Sequence, residues 1–112
     1  GNSKGGVQFY RNGLLSAVVE HDRPWRGFRL EQNYPNPFNP STLISYTLEA
    51  PARVTLAVLD LFGREVARIV DERQQAGPHA ARWHAVDFSS GVYYYRLTTE
   101  RAMHMRPMML IK

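Results

Sequence analysis

The chain has 112 residues, 44% of them hydrophobic and 21% charged, which suits one domain, or one domain with a tail, and excludes a separate substrate domain. The absence of cysteine excludes disulfides, thiolate catalysis and cysteine-based zinc sites. The net charge of +4 is spread along the chain without the concentrated basic stripe of nucleic-acid-binding proteins, and no apolar run approaches the ~20 residues of a membrane-spanning helix.

Residues 1–27 precede the regular strand pattern. The chain begins with Gly1 and no signal-peptide hydrophobic region follows it, so we expect a piece of a longer protein. Asn12 and Gly13 lie between two β-forming runs, and Asn-Gly at such a place favours a hairpin turn. We therefore assign residues 1–27 as a linker or a hairpin from the preceding region. Residues 7–19 are apolar enough to need a partner, and self-association of the chain through them is a hypothesis.

A proline-rich segment follows the first short alternating run. Pro35, Pro37 and Pro40 lack backbone N–H donors, and each restricts the residue before it to extended conformations. This composition excludes a helix or a central strand and predicts an extended, kinked connector. The aromatic residues Tyr34 and Phe38 of this connector are predicted to enter the core.

From residue 41 onward, apolar residues recur with the period of two that is typical of half-buried strands. Short strands are predicted over residues 28–32, 41–48, 53–58, 65–70, 79–84, 92–99 and 102–112, and residues 71–77 are predicted to be a loose polar stretch. Gly63 suits the left-handed position of one intervening turn. The spacing predicts an all-β fold over residues 28–112, an Ig-like antiparallel β-sandwich of about seven strands, with an extra N-terminal hairpin.

The aromatic residues of the later strands point mainly to a core role. Trp83 alternates with polar neighbours and is predicted to be buried. Tyr93 and Tyr95 share one strand face, which is predicted to be the core face, with Tyr94 on the outer one. Gly91 stands two residues before Tyr93, an arrangement similar to the tyrosine corner of Ig-like sandwiches.

Residues capable of catalysis or metal binding are sparse. His79 and His84 point to opposite faces of one strand and cannot chelate one ion. The pair at residues 71–72 offers two neighbouring acids, fewer than a calcium site needs. Ser89 and Ser90 lack the setting of a nucleophile elbow. We therefore expect no enzymatic activity, no metal site and no cofactor.

Several segments together resemble one family, in the order in which that family has them. These segments are LEQNYPNPFNPST at residues 30–42 followed by ISY, VLDLFGREV at 58–66, AGPH at 76–79, Trp83, SGVYYYRL at 90–97 and MMLIK at 108–112. They resemble the C-terminal sorting domains of type A of the type IX (Por) secretion system. The resemblance covers about residues 28–112, nearly the whole predicted domain.

The resemblance implies a non-catalytic Ig-like domain that directs a larger protein, lying N-terminal to it, across the outer membrane. It implies export through the periplasm, delivery to the outer membrane, the cell surface or the medium, and two kinds of partner, the outer-membrane secretion machinery and a sortase-like peptidase. The residues that it ties to recognition are Gly91, Tyr93, Arg106, Met108, Met109, Leu110, Ile111 and Lys112. The motif residues to which it gives a structural role are Pro35, Asn36, Pro37, Phe38, Asp60, Gly63 and Trp83.

The last predicted strand has physical properties that suit recognition by a partner. Pro107 predicts a sheet edge or a bulge, because proline cannot donate to a ladder. An edge offers unpaired N–H and C=O groups to a partner strand. Arg101, Arg106 and Lys112 would complement an acidic receptor.

Two other functions stay open at this point. A carbohydrate-binding accessory module of a secreted enzyme predicts an exposed, coplanar aromatic row, for which Trp25, Tyr34 and Tyr94 are candidates. A structural spacer predicts that the last five residues are dispensable for function as long as the domain folds.

Overall fold

The structure is a computed structural model, and it describes residues 27–112. The predicted N-terminal hairpin and the self-association hypothesis for residues 7–19 lie outside the described residues. The strands are β1 (Phe28–Leu30), β2 (Ser41–Leu48), β3 (Ala52–Leu59), β4 (Glu65–Gln74), β5 (Gly77–His84), β6 (Gly91–Thr98) and β7 (Met103–Leu110). Within residues 27–112, no helix has the length and the hydrophobicity needed to cross a membrane.

The seven strands form two antiparallel sheets. One sheet has the order β1-β2-β5 and the other the order β4-β3-β6-β7. The two sheets enclose a single core to which all seven strands contribute, directly or through partly buried residues of β4. This architecture confirms the prediction of an all-β, Ig-like sandwich.

The burial pattern follows the period-two sequence pattern. In β2, buried residues alternate with partly exposed ones along the whole strand. In the central strand β3, Ala57 on the outer face is also buried, because it lies between Arg68 of β4 and Arg96 of β6. The buried core residues are Phe28, Leu30, Phe38, Ile44, Tyr46, Leu48, Val54, Leu56, Val58, Trp83, Ala85, Tyr93, Tyr95, Leu97, Met108 and Leu110.

Two predictions about local structure are wrong in part. The stretch 71–77 was expected to be loose, but β4 continues to Gln74, because its polar residues stay paired with β3 and face solvent at a sheet edge. Tyr34 was expected in the core, but its side chain is 79% exposed. Its backbone N–H and C=O both bond to Leu43, at 2.9 and 2.8 Å, which places Tyr34 beside β2 with its ring outside.

Candidate functional site

The last strand, β7, lies at the edge of the four-stranded sheet, as Pro107 predicted. It pairs without interruption with β6, from Gly91 opposite Leu110 to Thr98 opposite Met103. The N–H and C=O of Met109 point away from β6, since both bond elsewhere. Backbone directions alternate along a strand, so Pro107 also faces outward and its missing N–H removes no bond to β6.

The side chains of the final segment divide between the core and the surface. Met108 and Leu110 are buried. Met109 is 41% exposed and Ile111 is 48% exposed, and both lie on the outer face of the sheet. Of the apolar residues that the family resemblance ties to recognition, therefore, two can contact a partner and two hold the fold.

The backbone edge of this final segment is covered by the connector, defined here as residues 31–40. Phe38 donates its N–H to the Met109 carbonyl at 2.9 Å and accepts from the Ile111 N–H at 2.9 Å. The side-chain oxygen of Asn36 accepts from the Met109 N–H at 3.0 Å. The expectation that this edge offers unpaired groups is therefore wrong for residues 109–111, because a segment some seventy positions earlier in the chain already pairs with them.

A buried polar network holds the connector in place. The hydroxyl of Tyr95 accepts from the Asn33 N–H at 2.9 Å and donates to the Glu31 carbonyl at 2.7 Å. The Asn33 side chain donates to Thr42 Oγ1 at 2.9 Å. Burial raises the pKa of Tyr95 to about 12, although the Asn33 N–H and Arg106 both act to lower it. The network satisfies polar groups that would otherwise be costly to bury.

The connector also contacts its surroundings through Pro35 and Gln32. The carbonyl of Pro35 accepts from the Thr42 hydroxyl at 2.9 Å and from the Asn33 amide at 3.2 Å. Gln32 donates to the Pro107 carbonyl at 2.9 Å. Pro37 lies between the two residues that bind β7, and the peptide bonds preceding all three connector prolines are cis.

The two cations of the final segment make intramolecular bonds. Arg106 Nε donates to the Leu30 carbonyl at 2.9 Å and so links the two sheets at their shared side. Lys112 Nζ donates to the Val86 carbonyl at 2.6 Å, and its N–H donates to Ser90 Oγ at 3.0 Å. Both side chains therefore position the end of β7 against the rest of the sandwich.

An aromatic cluster lies beneath this segment. Trp83 packs against Phe38, Phe88 and Tyr93, with ring centroids 5.8, 5.1 and 5.6 Å away. The Tyr93 hydroxyl donates to the Ser89 carbonyl at 2.8 Å, which is the predicted tyrosine-corner bond. Gly91 has φ of 151°, a conformation that other residues rarely adopt, and it turns the chain into β6.

The turn between β3 and β4 is built around Asp60. One Asp60 oxygen accepts from the backbone N–H groups of Phe62 and Arg64, at 2.9 and 3.0 Å, and the other accepts from the Arg64 guanidinium at 2.9 Å. Hydrogen bonds hold the pKa of Asp60 below its usual range. The bond from the Arg64 N–H contributes most, followed by the bonds from the Phe62 N–H and the Arg64 guanidinium. Gly63 takes φ of 82° in this turn, as its sequence position predicted.

The residues considered for other chemistry do not converge. Across residues 27–112, no group of three or more His, Asp or Glu side chains could hold a metal ion. The strongly exposed aromatic residues of this part of the chain, Tyr34 and Phe62, lie in the connector and in a turn, so they form no row on a sheet. Trp25 lies outside the described residues. The feature that a carbohydrate-binding module would need is therefore absent from residues 27–112.

The geometry of β7 and the connector can be compared with known proteins. Residues 32–111 match the family described as "Secretion system C-terminal sorting domain". The chain belongs to this family. The sorting domain is also similar to a solved structure of PorZ, described as an essential bacterial surface component of the type-IX secretion system of Porphyromonas gingivalis, with a TM-score of 0.51 and 19% identity. The similarity covers 72% of this chain but 11% of the PorZ chain, and at this identity it shows the fold.

A comparison with curated protein sequences gives no match. The family match confirms the resemblance to type IX sorting domains. It runs from the connector to the end of β7, so the two segments that contact each other across the sheet edge both lie inside the matched range.

The polar residues that hold the connector were not predicted from the sequence. Asn33 and Thr42 are buried, and neither was singled out. Tyr95 was assigned to the core for its ring, while its hydroxyl holds the connector. The available signal was a tyrosine predicted to be buried, since a buried hydroxyl requires a hydrogen-bond partner.

Proposed function

We propose that this domain is a sorting signal that directs a larger cargo protein, attached N-terminal to it, across the outer membrane by the type IX system. The observation that carries the proposal is the family match over residues 32–111, which includes every structural element from the connector to β7. Export through the periplasm, followed by delivery to the outer membrane, the cell surface or the medium, belongs to the same proposal.

The proposed recognition segment is the end of β7 with its immediate supports. Met109, Ile111 and Lys112 supply the accessible side chains, the first two as exposed apolar groups on the outer sheet face. Met108 and Leu110 anchor the segment in the core. Because alternate residues of a strand face opposite ways, one short segment can be anchored and accessible at once.

Four further residues are proposed to hold that segment in a fixed position. Arg106 binds the other sheet, and Gly91 faces Leu110 across the ladder. Tyr93 and Phe38 join the aromatic cluster beneath the segment. A rigid, fixed strand loses less entropy on binding than a mobile tail does, which favours recognition of the folded domain.

The proposed partners are the outer-membrane secretion machinery and a sortase-like peptidase that removes the domain. The domain itself is proposed to be non-catalytic and to need no cofactor. Its part in export is then to present a surface, and the reaction that releases the cargo belongs to the peptidase.

The proposal can be tested by attaching the 112-residue chain behind a Sec signal and a fluorescent protein in a host that has the type IX machinery. We expect fluorescence on the cell surface or in the medium, and periplasmic retention of the same fluorescent protein without the chain. A host without a functional type IX channel should retain both proteins. Surface delivery in that channel-deficient host, or retention of the fusion in the competent host, would overturn the proposal.

A further inference from the structure

The outer edge of β7 is divided into a covered part and an uncovered part. Outward-facing backbone groups belong to the odd-numbered residues, since Met109 faces outward and the pairing with β6 has no interruption. The groups of residues 107, 109 and 111 bond to the connector. Those of Met103 and Met105 bond to no residue within the range 27–112. We call residues 103–105 the open edge.

The open edge has the chemistry of a strand-binding site. Met103 and Met105 each present an N–H and a C=O in the spacing that an added β-strand requires. Their side chains, 57% and 44% exposed, lie together on the outer sheet face and can pack against the alternate side chains of such a strand. Methionine adapts its shape to varied partners because its side chain is flexible and polarisable.

The charge around the open edge indicates which strand fits. Residues 101–112 contain Arg101, Arg106 and Lys112 and no aspartate or glutamate. Arg101 forms no ion pair with any residue in the range 27–112, and it lies two positions before Met103. Arg96 faces Met105 directly across the ladder, and its ion pair with Glu65 at 3.8 Å offsets part of its charge. A partner strand with acidic side chains would be attracted by these cations.

The same charges disfavour a second copy of this chain as the occupant. In a two-fold antiparallel pairing of two β7 strands, each copy presents the same patch to the other. Residues 101–112 of each copy carry the same net positive charge, so the two segments would repel each other. Self-pairing here also brings no acidic residue from 101–112 to offset the repulsion.

We propose that residues 103–105 bind an extended, acidic β-strand of a partner protein, which adds to the four-stranded sheet next to β7. The proposal rests on the proposed sorting function, for which it names the backbone site and the chemistry of the partner. It differs from recognition of the exposed side chains at residues 109–112, because the backbone at that end is already covered by the connector.

The test uses two substitutions of one outward-facing residue. Met105→Pro removes an outward N–H without removing a bond to β6, just as Pro107 already does two positions later. Met105→Leu keeps the N–H and a similar apolar side chain, so it is the matched control. Circular dichroism and thermal unfolding should show both variants folded. His104→Pro would be unsuitable, since it removes a ladder bond.

The first readout is binding of a defined probe to the full 112-residue chain, followed by backbone amide shifts in NMR. The probe is a capped heptapeptide of alternating Glu and Val, N-methylated at alternate residues so that it has one hydrogen-bonding edge. We expect the shifts to concentrate at residues 103–105. Met105→Pro should weaken binding about tenfold relative to Met105→Leu, as loss of one hydrogen bond would. A Lys-Val peptide should also bind about tenfold more weakly, through unfavourable charge.

Three results would overturn the proposal. One is equal binding by Met105→Pro and Met105→Leu. Another is protection of the amides of Met103 and Met105 from hydrogen exchange in the free chain, because the preceding residues would then already occupy the edge. The third is a concentration-dependent dimer that Met105→Pro abolishes, which would make a second copy the occupant.

The second readout is export of the fluorescent fusion carrying each variant. We expect Met105→Pro to reduce surface delivery well below that of Met105→Leu. If the parent fusion is exported and the two variants are exported equally, this inference fails while the sorting function stands. If the parent fusion is not exported, the sorting function fails, and the peptide experiment still tests the binding site by itself.

Discussion

The two edges of the four-stranded sheet are protected in different ways. At the β4 edge, the side chains themselves carry the protection: Arg68 bonds to Glu65 and Asp71, and Asp71 also bonds to Arg53. At the β7 edge, most of the exposed side chains are methionines (Met103, Met105 and Met109, beside His104 and Pro107), and the connector protects part of the strand. Charged side chains discourage pairing with any other strand. An apolar edge, by contrast, is closed to pairing only where another segment covers it.

The charges of the β4 edge remain ionised throughout the neutral range. Arg68 holds the pKa of Glu65 below its usual range, and Arg53, followed by Arg68, does the same for Asp71. Glu65, with Asp71, raises the pKa of Arg68. These pairs are exposed to solvent, so screening leaves them little effect on the free energy of unfolding. Instead, these charges discourage other strands from pairing with the β4 edge.

The largest expected effect on stability comes from replacing Phe38, the connector residue that covers the end of β7. Phe38→Ala removes a fully buried ring that packs on Trp83, and it should lower the free energy of unfolding by about 3–5 kcal/mol. Urea unfolding measures this change, and hydrogen exchange at Met109 and Ile111 should accelerate. Tyr34→Ala, in the same connector but exposed, is the control and should change stability by less than about 0.5 kcal/mol. Equal effects of the two substitutions would show that the connector is not anchored by Phe38.

A smaller loss is expected when the connector is detached from Tyr95. Tyr95→Phe leaves the Asn33 N–H and the Glu31 carbonyl without their partner, and the free energy of unfolding should fall by about 1–3 kcal/mol. Chemical denaturation measures it. Tyr93→Phe, which removes one hydroxyl bond at the tyrosine corner, provides a comparison within the same strand. A neutral Tyr95→Phe would mean that the network does not stabilise the connector.

The Tyr95 hydroxyl also makes the stability of the domain depend on pH in the alkaline range. Folding raises the pKa of Tyr95 to about 12, so its contribution to stability is fully present below pH ~10 and is lost as the pH rises through about 12. Burial also raises the pKa of Tyr46. Between neutral pH and pH ~12, the free energy of unfolding should therefore decline less steeply in Tyr95→Phe than in the parent. The decline caused by ionisation of Tyr46 should remain in both. Parallel declines would contradict this assignment.

In β7, the N–H and C=O groups of successive residues face β6 and then face away from it. Proline substitutions at two adjacent residues should therefore lower stability by different amounts. His104→Pro removes a ladder bond to β6 and should cost about 2 kcal/mol. Met105→Pro removes an outward N–H that bonds to nothing in residues 27–112 and should cost less than about 1 kcal/mol. Thermal unfolding of the pair measures the difference. A larger loss of stability in Met105→Pro than in His104→Pro would mean that the even-numbered residues of β7, and not the odd-numbered ones, have outward-facing backbone groups.

The smallest effect on stability is expected at the β4 edge. Replacing Arg68 and Arg73 with isoleucine gives this edge the apolar character of β7 without a connector to cover it. We expect little change in the unfolding midpoint but concentration-dependent association by sedimentation velocity. Arg68→Gln with Arg73→Gln, which removes the charges and keeps polar side chains, is the matched control. A monomeric isoleucine variant at high concentration would contradict the protective role of these charges.

The sequence was sufficient to predict features that depend on neighbouring residues. Alternation placed Trp83, Tyr93 and Tyr95 in the core, and the spacing of Gly91 to Tyr93 predicted the tyrosine corner. Pro107 predicted the sheet edge, because proline lacks the N–H that a central strand needs. These inferences use only local backbone chemistry and period-two burial.

The features that the sequence did not predict depend on contacts between distant segments. Nothing near Asn36 indicates that it binds Met109, which is 73 positions away. The four residues 71–74 have the composition of a loop, and they form strand because β3 pairs with them. For the same reason, the division of β7 into covered and open parts appears only once the connector is folded against it.

The central claim, that the accessible end of β7 acts as a sorting signal, is tested most directly by exported cargo. Deleting residues 108–112 is unsuitable, because it also removes the core residues Met108 and Leu110. The alternative is to replace only Met109, Ile111 and Lys112 with serine in the fluorescent fusion.

The control replaces two exposed apolar residues of the turn between β3 and β4, Leu61 and Phe62, with serine. Both variants should fold, as circular dichroism can verify. The account predicts that the β7 variant stays in the periplasm like cargo without the domain, while the control reaches the cell surface or the medium. Equal export of the two folded variants would contradict it.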